Sequence, residues 1–296
     1  MNADPEWNLY RSFLAVVQEG SLSGAARRLG LTQPTIARHV DALEQAIGTD
    51  LFLRSQRGLI PTEMALDLKP YAETLAATAA AMMRTAGGRA GEVRGSVRIS
   101  AGEVVGVELL PPILARLRHR HPGLVVELVL SNALDDLLRR EADIAVRMVE
   151  PTQQALVARR LPKVVLGLHA HRAYLERRGV PASMAALASH DLIGFDRDTP
   201  AIRAIVARFS AFDRPAFALR ADSDLAQLAA IRAGFGIGIC HVAAARHDPE
   251  LMRVLADAVA VDLGLWIVMH EDLKTSARCR TVFDALAEVL SVGRPS

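Results

Sequence analysis

Residues 23–44, SGAARRLGLTQPTIARHVDALE, place a short helix, a glycine and a second helix with a polar outer face in immediate succession. Ala25, Ala26 and Leu29 form the apolar side of the short helix, Ser23 is positioned to cap it, and Gly30 closes it. Thr32 stands where the next helix begins, and Pro34 falls in its first turn, where a missing N–H sacrifices no intrahelical bond. Ile36, Val40, Leu43 and Ile47 recur at helical spacing and face inward, which leaves Gln33, Thr35, Arg38 and His39 on or near the outer side. This is the spacing of a helix-turn-helix.

The flanks extend the pattern. Upstream, Leu9, Phe13 and Val17 share one face of a helix that Gly20 ends. Downstream, LFLRSQRGLI (51–60) reads as two extended runs around a polar turn, a wing hairpin carrying Arg54 and Arg57. From Thr62 to about Ala86, the residues Leu66, Tyr71, Leu75, Ala79, Met82 and Met83 form an apolar stripe along one long helix, in which Pro70 predicts a kink near Leu66. No segment of the chain is an obvious cover for that stripe, so pairing with a second copy is expected. Gly87–Gly91 (GGRAG) reads as a flexible hinge.

Beyond the hinge, strands alternate with helices. Strands are expected at 96–100, 125–130, 143–148, 164–169, 191–195, 217–220, 237–240 and 265–270. Helices are expected at 107–119, 132–140, from about 172, from about 199, at 223–233 and at 274–290. The alternation predicts a parallel α/β sheet with right-handed crossovers. Ligands of such sheets bind beyond the carboxyl ends of the strands, here Ser100-Ala101-Gly102-Glu103, Ser131-Asn132 and Phe195-Asp196. Ser100, Ser131 and Asn132 could hold a carboxylate or another polar group. Arg147 either adds a positive charge there or pairs with a local acid. Glu103 either stabilises the first turn of its own helix or selects a cationic or hydroxylated ligand.

Composition bounds the class. The 296 residues are 51% apolar and 23% charged, enough for two packed domains, and no apolar run approaches the roughly 20 residues that span a bilayer. Thirty-five basic and 33 acidic residues leave a net charge of +2, so bulk charge alone points to no nucleic-acid partner. Residues 1–90 hold nine basic and nine acidic groups, while 21–60 alone carry five arginines against three acids. Cys240 and Cys279 are too few for a disulfide framework, and Asp4, Glu6 and Glu19 stand where an export signal would be basic or apolar, so a cytoplasmic setting is expected.

Catalytic and cofactor patterns are weak. Gly234-Phe235-Gly236-Ile237-Gly238 follows a helix instead of opening one, unlike a dinucleotide loop. Cys240 and His241 are adjacent and would point to opposite faces of a strand. The pairs His119/His121 and His169/His171 lack the accompanying cluster of Cys, Asp or Glu that zinc requires. No catalytic residue, metal or cofactor is expected.

Residues 13–63, FLAVVQEGSLSGAARRLGLTQPTIARHVDALEQAIGTDLFLRSQRGLIPTE, resemble the winged helix-turn-helix of the LysR-type transcriptional regulators, and GSVRISAG (95–102), ADIAVR (142–147) and AAIRAGFGIGI (229–239) resemble their effector half. The resemblance implies an α-helical winged helix-turn-helix domain (1–61), a linker and dimerisation helix with its hinge (62–91), and a two-lobed α/β effector domain like a periplasmic binding protein (92–296). The lobes would be about 92–160 with 265–292, and about 161–264.

It further implies sequence-specific binding to partly palindromic double-stranded DNA by a homodimer that assembles into a homotetramer, modulated by a small-molecule effector and acting on RNA polymerase, with no membrane partner. Gln33, Pro34, Thr35 and Arg38 match the family's base-reading positions, with His39 beside them. Ser23, Arg28 and Thr32 would serve phosphates and helix ends, and Arg54 and Arg57 the backbone or minor groove. Two departures stand out: Cys240-His241 replaces the family's frequent proline after the Gly-rich strand, and the linker starts Thr62-Glu63-Met64-Ala65. The alternatives are a solute-binding protein and a regulator acting through DNA alone.

Overall fold

The computed structural model describes residues 5–55, 58–86, 92–132, 142–151, 156–199, 202–203 and 214–292. Packing separates two compact units, which divide at Met83/Arg84.

The first unit opens with α1 (Trp7–Glu19), α2 (Leu22–Leu29) and α3 (Gln33–Ile47). Phe13, Val16, Ala25, Ile36, Val40 and Leu43 close their common core, joined by Leu51 and Phe52 from the start of the hairpin. Ser21, not Ser23, caps α2: left-handed Gly20 turns the chain so that Ser21 is extended and its side chain accepts the Gly24 N–H at 3.1 Å. Thr32 caps α3 as expected, accepting the Thr35 N–H at 3.3 Å.

The hairpin strands β1 (Phe52–Ser55) and β2 (Gly58–Pro61) pair antiparallel. Two contacts fix this wing. Glu44 of α3 accepts the Leu51 and Phe52 N–H groups through Oε1 at 2.7 and 3.2 Å, and the Leu59 N–H donates to the Gly20 carbonyl at 3.0 Å. Gly58 lies so close to that carbonyl that an added Cβ would sit 2.6 Å from the oxygen, and its φ of +122° disfavours any side chain. Helix α4 (Glu63–Ala86) runs unbroken through Pro70, with Thr62 accepting the Ala65 N–H at its start. Met64, Leu66, Tyr71, Leu75, Met82 and Met83 of α4 are exposed, Tyr71 to 72%.

The second unit is built on a nine-stranded sheet. Its strands are β3 (Gly95–Ala101), β4 (Leu124–Leu130), β5 (Ile144–Arg147), β6 (Leu156–His171), β7 (Leu192–Gly194), β8 (Phe217–Arg220), β9 (Ile237–His241), β10 (Leu251–Val254) and β11 (Val261–His270). They run in the order β4-β3-β5-β11-β6-β9-β7-β8, with β10 beside β6.

The sheet is mixed, not parallel. β4, β3 and β5 pair parallel, as do β8, β7 and β9, but β11 and β6 run antiparallel to their neighbours. These two long strands pass through both lobes, from the Leu156↔His270 pair to Leu166↔Val261. Their register slips between Leu263 and Leu265, where Pro162 and Lys163 stand opposite Gly264. A bulge is one of the few places where a strand accepts proline.

A π-helical turn (Val105–Leu109) leads into α5 (Leu110–Arg120) in the first lobe. In the second lobe, α6 (Arg172–Arg178), α7 (Asp224–Arg232) and α8 (Val242–Ala245) flank the strands, and α9 (Ala277–Val292) returns to the first. One core joins Val97, Ile99, Leu110 and Ile144 to Cys279, Val282, Phe283 and Leu286. Arg84 donates to both oxygens of buried Asp143, and Arg278 donates to the Arg84 carbonyl at 2.7 Å. The helix expected at 132–140, most of the one from Thr199, and the Gly87–Gly91 hinge lie outside the described residues.

Candidate DNA-reading face and effector cleft

The outer face of α3 is held ready by its own hydrogen bonds. Thr32 and Thr35 share a hydroxyl contact at 2.8 Å, and Ser23 donates to the Gln33 Oε1 at 3.2 Å, joining the first turn of α2 to the first residue of α3. Gln33, Pro34 and Arg38 are exposed, as is Arg54 on the wing; Arg57 lies outside the described residues. Arg28 is paired with Glu19 at 3.2 Å across an exposed surface, where such a pair is weak and readily exchanged for a phosphate. His39 differs from the outward position expected of it. Its Nδ1 meets buried Ser12 of α1 at 2.8 Å, so the ring braces α3 against α1.

In the second unit, a cleft of about 640 Å³ opens between the lobes. Of the residues expected there, Gly102, Ser131, Asn132, Arg147 and Phe195 line it. Ser100 and Ala101 lie just beneath: Ser100 is buried and accepts from Arg147 at 2.6 Å, orienting the guanidinium. Arg147 also donates to the Val146 carbonyl. Asp196 is drawn away to Arg214 and Arg220 at 2.7 and 3.6 Å.

Glu103 stabilises a different helix from the one expected. Its Oε2 accepts the Ser223 hydroxyl at 2.8 Å and the Leu225 N–H at 3.3 Å, so it sits at the N-terminus of α7, in the opposite lobe, where a carboxylate is favoured. Asn132 completes this contact, accepting the Glu103 N–H and donating to Asp224 at 2.9 Å. Burial and the neighbouring Glu103 charge hold the Asp224 carboxyl above its usual range. A second clasp lies on the same two elements. Arg232, at the end of α7, grips both oxygens of Glu108 in the π-turn at 2.8 Å each, and this holds the Glu108 carboxyl below its usual range.

Sequence reasoning missed several lining groups. Thr199, Phe217, Asp222, Asp224, Gln227, Ile239 and His241 reach the cleft from the second lobe. Their common signal is weak, because they are spread over five separate segments. Cys240 meets a different histidine from its neighbour His241: its sulfur lies 3.3 Å from the Nδ1 of His169, which also bonds the Gly167 carbonyl. Burial pushes the Cys240 thiol up to about 12, so it stays protonated and is a poor nucleophile. The Gly-rich 234–238 segment serves packing: a Cβ on Gly236 would lie 2.0 Å from the Asp191 carbonyl oxygen. Among the described residues, no group of three or more His, Cys, Asp or Glu is arranged to hold a metal, and no helix is long and apolar enough to cross a membrane.

A helix-turn-helix with a wing, joined to a two-lobed α/β domain enclosing a cleft, defines a DNA-binding, effector-responsive regulator. Residues 7–66 match the bacterial regulatory helix-turn-helix of the lysR family, and residues 90–291 match the LysR substrate-binding domain. The chain belongs to the LysR family of transcription regulators. It is 26% identical over 291 residues to the "Probable HTH-type transcriptional regulator LtrA" of Klebsiella pneumoniae, covering 94% of this chain and 93% of the relative. It also resembles the solved LysR-type regulator CrgA of Neisseria meningitidis, with 25% identity, 98% and 99% of the two chains covered and a TM-score of 0.59. The fold likewise matches full-length CbnR solved with its target DNA, at 20% identity, 98% and 100% coverage and a TM-score of 0.64. LysR regulators of this kind bind DNA and form oligomers.

Proposed function

We propose that α3 enters the major groove with Gln33, Thr35 and Arg38 facing base edges, while Ser23, Arg28 and Thr32 meet phosphates and Arg54 follows the backbone from the wing. The observation that carries this reading is the exposed polar face of α3 beside an exposed wing arginine, on a surface whose net charge is small. His39 acts by holding α3 in place. Two copies pair through the apolar stripe of α4, present two reading helices to a partly palindromic site, and associate further as a tetramer. The protein acts in the cytoplasm without catalysing a reaction, and its effect on transcription passes through RNA polymerase.

The inter-lobe cleft takes a small molecule, and the clasps from α7 to Glu103 and Glu108 set how readily the lobes part. An effector shifts that equilibrium only through its differential affinity for the two arrangements.

Fluorescence polarisation on the full chain, using a duplex from the region upstream of its own gene and a scrambled control, tests the DNA assignment. Arg38→Ala is expected to cost about 1–3 kcal/mol on the cognate duplex and little on the scrambled one, whereas Arg54→Ala weakens both equally. Unchanged affinity in both variants would overturn the assignment.

A further inference from the structure

His241 ends β9 and lines the cleft, yet it is only 5% exposed and its Nδ1 is buried with no hydrogen-bond partner among the described residues. It stands opposite Leu166 on β6, which itself pairs with Val261 on β11, so its strand lies directly beside the two that link the lobes. Several other polar groups of the cleft are engaged by the protein: Asp222 by Arg197, Asp224 by Asn132, Gln227 by the Ala221 carbonyl, and the terminal nitrogens of Arg147 by Ser100 and the Val146 carbonyl. An unsatisfied imidazole in such a place is destabilising unless something else occupies the cleft.

Burial pushes the His241 pKa down to about 4, leaving a neutral ring with one donor and one acceptor nitrogen. The walls beside it are largely apolar, including Val146, Leu166, Ile193, Phe217, Ile239 and Leu263. A carboxylate would give up its water for the ring's single N–H donor and an ammonium for its single acceptor, each leaving a full charge against largely apolar walls. A hydroxyl can both donate and accept. We propose that His241 selects the effector by hydrogen bonding to an uncharged hydroxyl on an otherwise apolar molecule seated in the cleft. This rests on the reading that the cleft is the effector site.

The test is calorimetric titration of the full chain near neutral pH with 2-naphthol, 2-naphthoate and 2-naphthylmethylammonium. Naphthol is expected to bind at least about tenfold tighter than either charged analogue. His241→Leu lowers naphthol affinity by about tenfold, His241→Gln by less, and neither changes the binding of the charged probes. His241→Leu also raises the melting temperature of the ligand-free protein, which a structurally satisfied histidine would not do. Ile239→Trp fills the cleft and abolishes naphthol binding.

If His241→Leu leaves naphthol affinity intact while Ile239→Trp abolishes it, the role of His241 is overturned and the cleft stands. If Ile239→Trp leaves naphthol bound, the cleft reading fails, and the proposal with it. Tighter binding of naphthoate, or no binding of naphthol to the unaltered protein, also overturns the proposal.

Discussion

Breaking the clasp between Glu108 and Arg232 measures how firmly the two lobes hold each other. The pair is bidentate at 2.8 Å, with Glu108 13% and Arg232 33% exposed, so it lies between a solvated surface pair and a buried one. Surface pairs contribute up to about 1 kcal/mol, and removing one partner of a buried pair costs about 3–5 kcal/mol. Discounting for the exposed side of Arg232, we expect Arg232→Met to cost about 2 kcal/mol, much of it from leaving the Glu108 carboxylate covered and alone. The coupling in a double-mutant cycle with Glu108→Gln should be about 1–2 kcal/mol.

The two tryptophans make this measurable in the full chain. Trp7 lies in α1, whereas Trp266 lies on β11 under the Arg160 guanidinium, 5.5 Å from the ring centroid. In a Trp7→Phe background, urea unfolding followed by fluorescence reports the second unit alone. Because the folded Glu108 pKa is depressed, the clasp's contribution is present above the ordinary carboxylate range and is lost as pH falls through the depressed value, so the coupling should shrink in acid. A coupling below about 0.3 kcal/mol near neutral pH, the level at which separate sites simply add, would refute the clasp.

Three further outcomes are expected. Gly58→Ala drives a methyl group into the Gly20 carbonyl at a left-handed backbone position, so it should displace the wing and weaken DNA binding in gel shifts while leaving Trp266-monitored unfolding unchanged. Lowering the pH from 7 to 5 should destabilise the second unit by about 2 kcal/mol through His241 alone, since the unfolded chain takes up a proton near pH 6.5 and the folded ring only near 4. His169, also held low by burial, adds in the same direction, and urea unfolding of His241→Leu across this range should show a shallower slope. Leu75→Glu on the exposed stripe of α4 should shift sedimentation equilibrium toward monomer, and an unchanged mass would exclude that face as the dimer contact.

The first unit was legible because its instructions are local. Glycine ends, Thr32, Pro34 and the spacing from Ile36 to Leu43 all act within a few residues. Ser21 and Ser23 can each cap a helix, and only the left-handed turn at Gly20 decides between them. The second unit was legible as alternating elements but not in strand direction, since antiparallel pairing of β6 with β11 is settled by contacts far apart in the chain. The sequence predicts β6 only from Val164, because Arg159, Arg160 and Pro162 break the apolar run that a buried strand normally shows. The role of Glu103 was unreadable for the same reason: its partners are Ser223 and Leu225, in the other lobe. His241 was visible only as an oddity of composition, and its unmet nitrogen emerges from packing alone.

The continuous β6–β11 pair has a consequence for how the protein is made. Since Leu156 must wait for His270, the first lobe cannot close its sheet until nearly the whole chain has left the ribosome, although β3, β4 and β5 emerge long before. Pairing across so long an interval is slow relative to local helix formation, so the helix-turn-helix should be folded while the sensor is still an open sheet. A ribosome-bound chain arrested before residue 261 would then carry a formed DNA-reading head with no completed cleft to govern it.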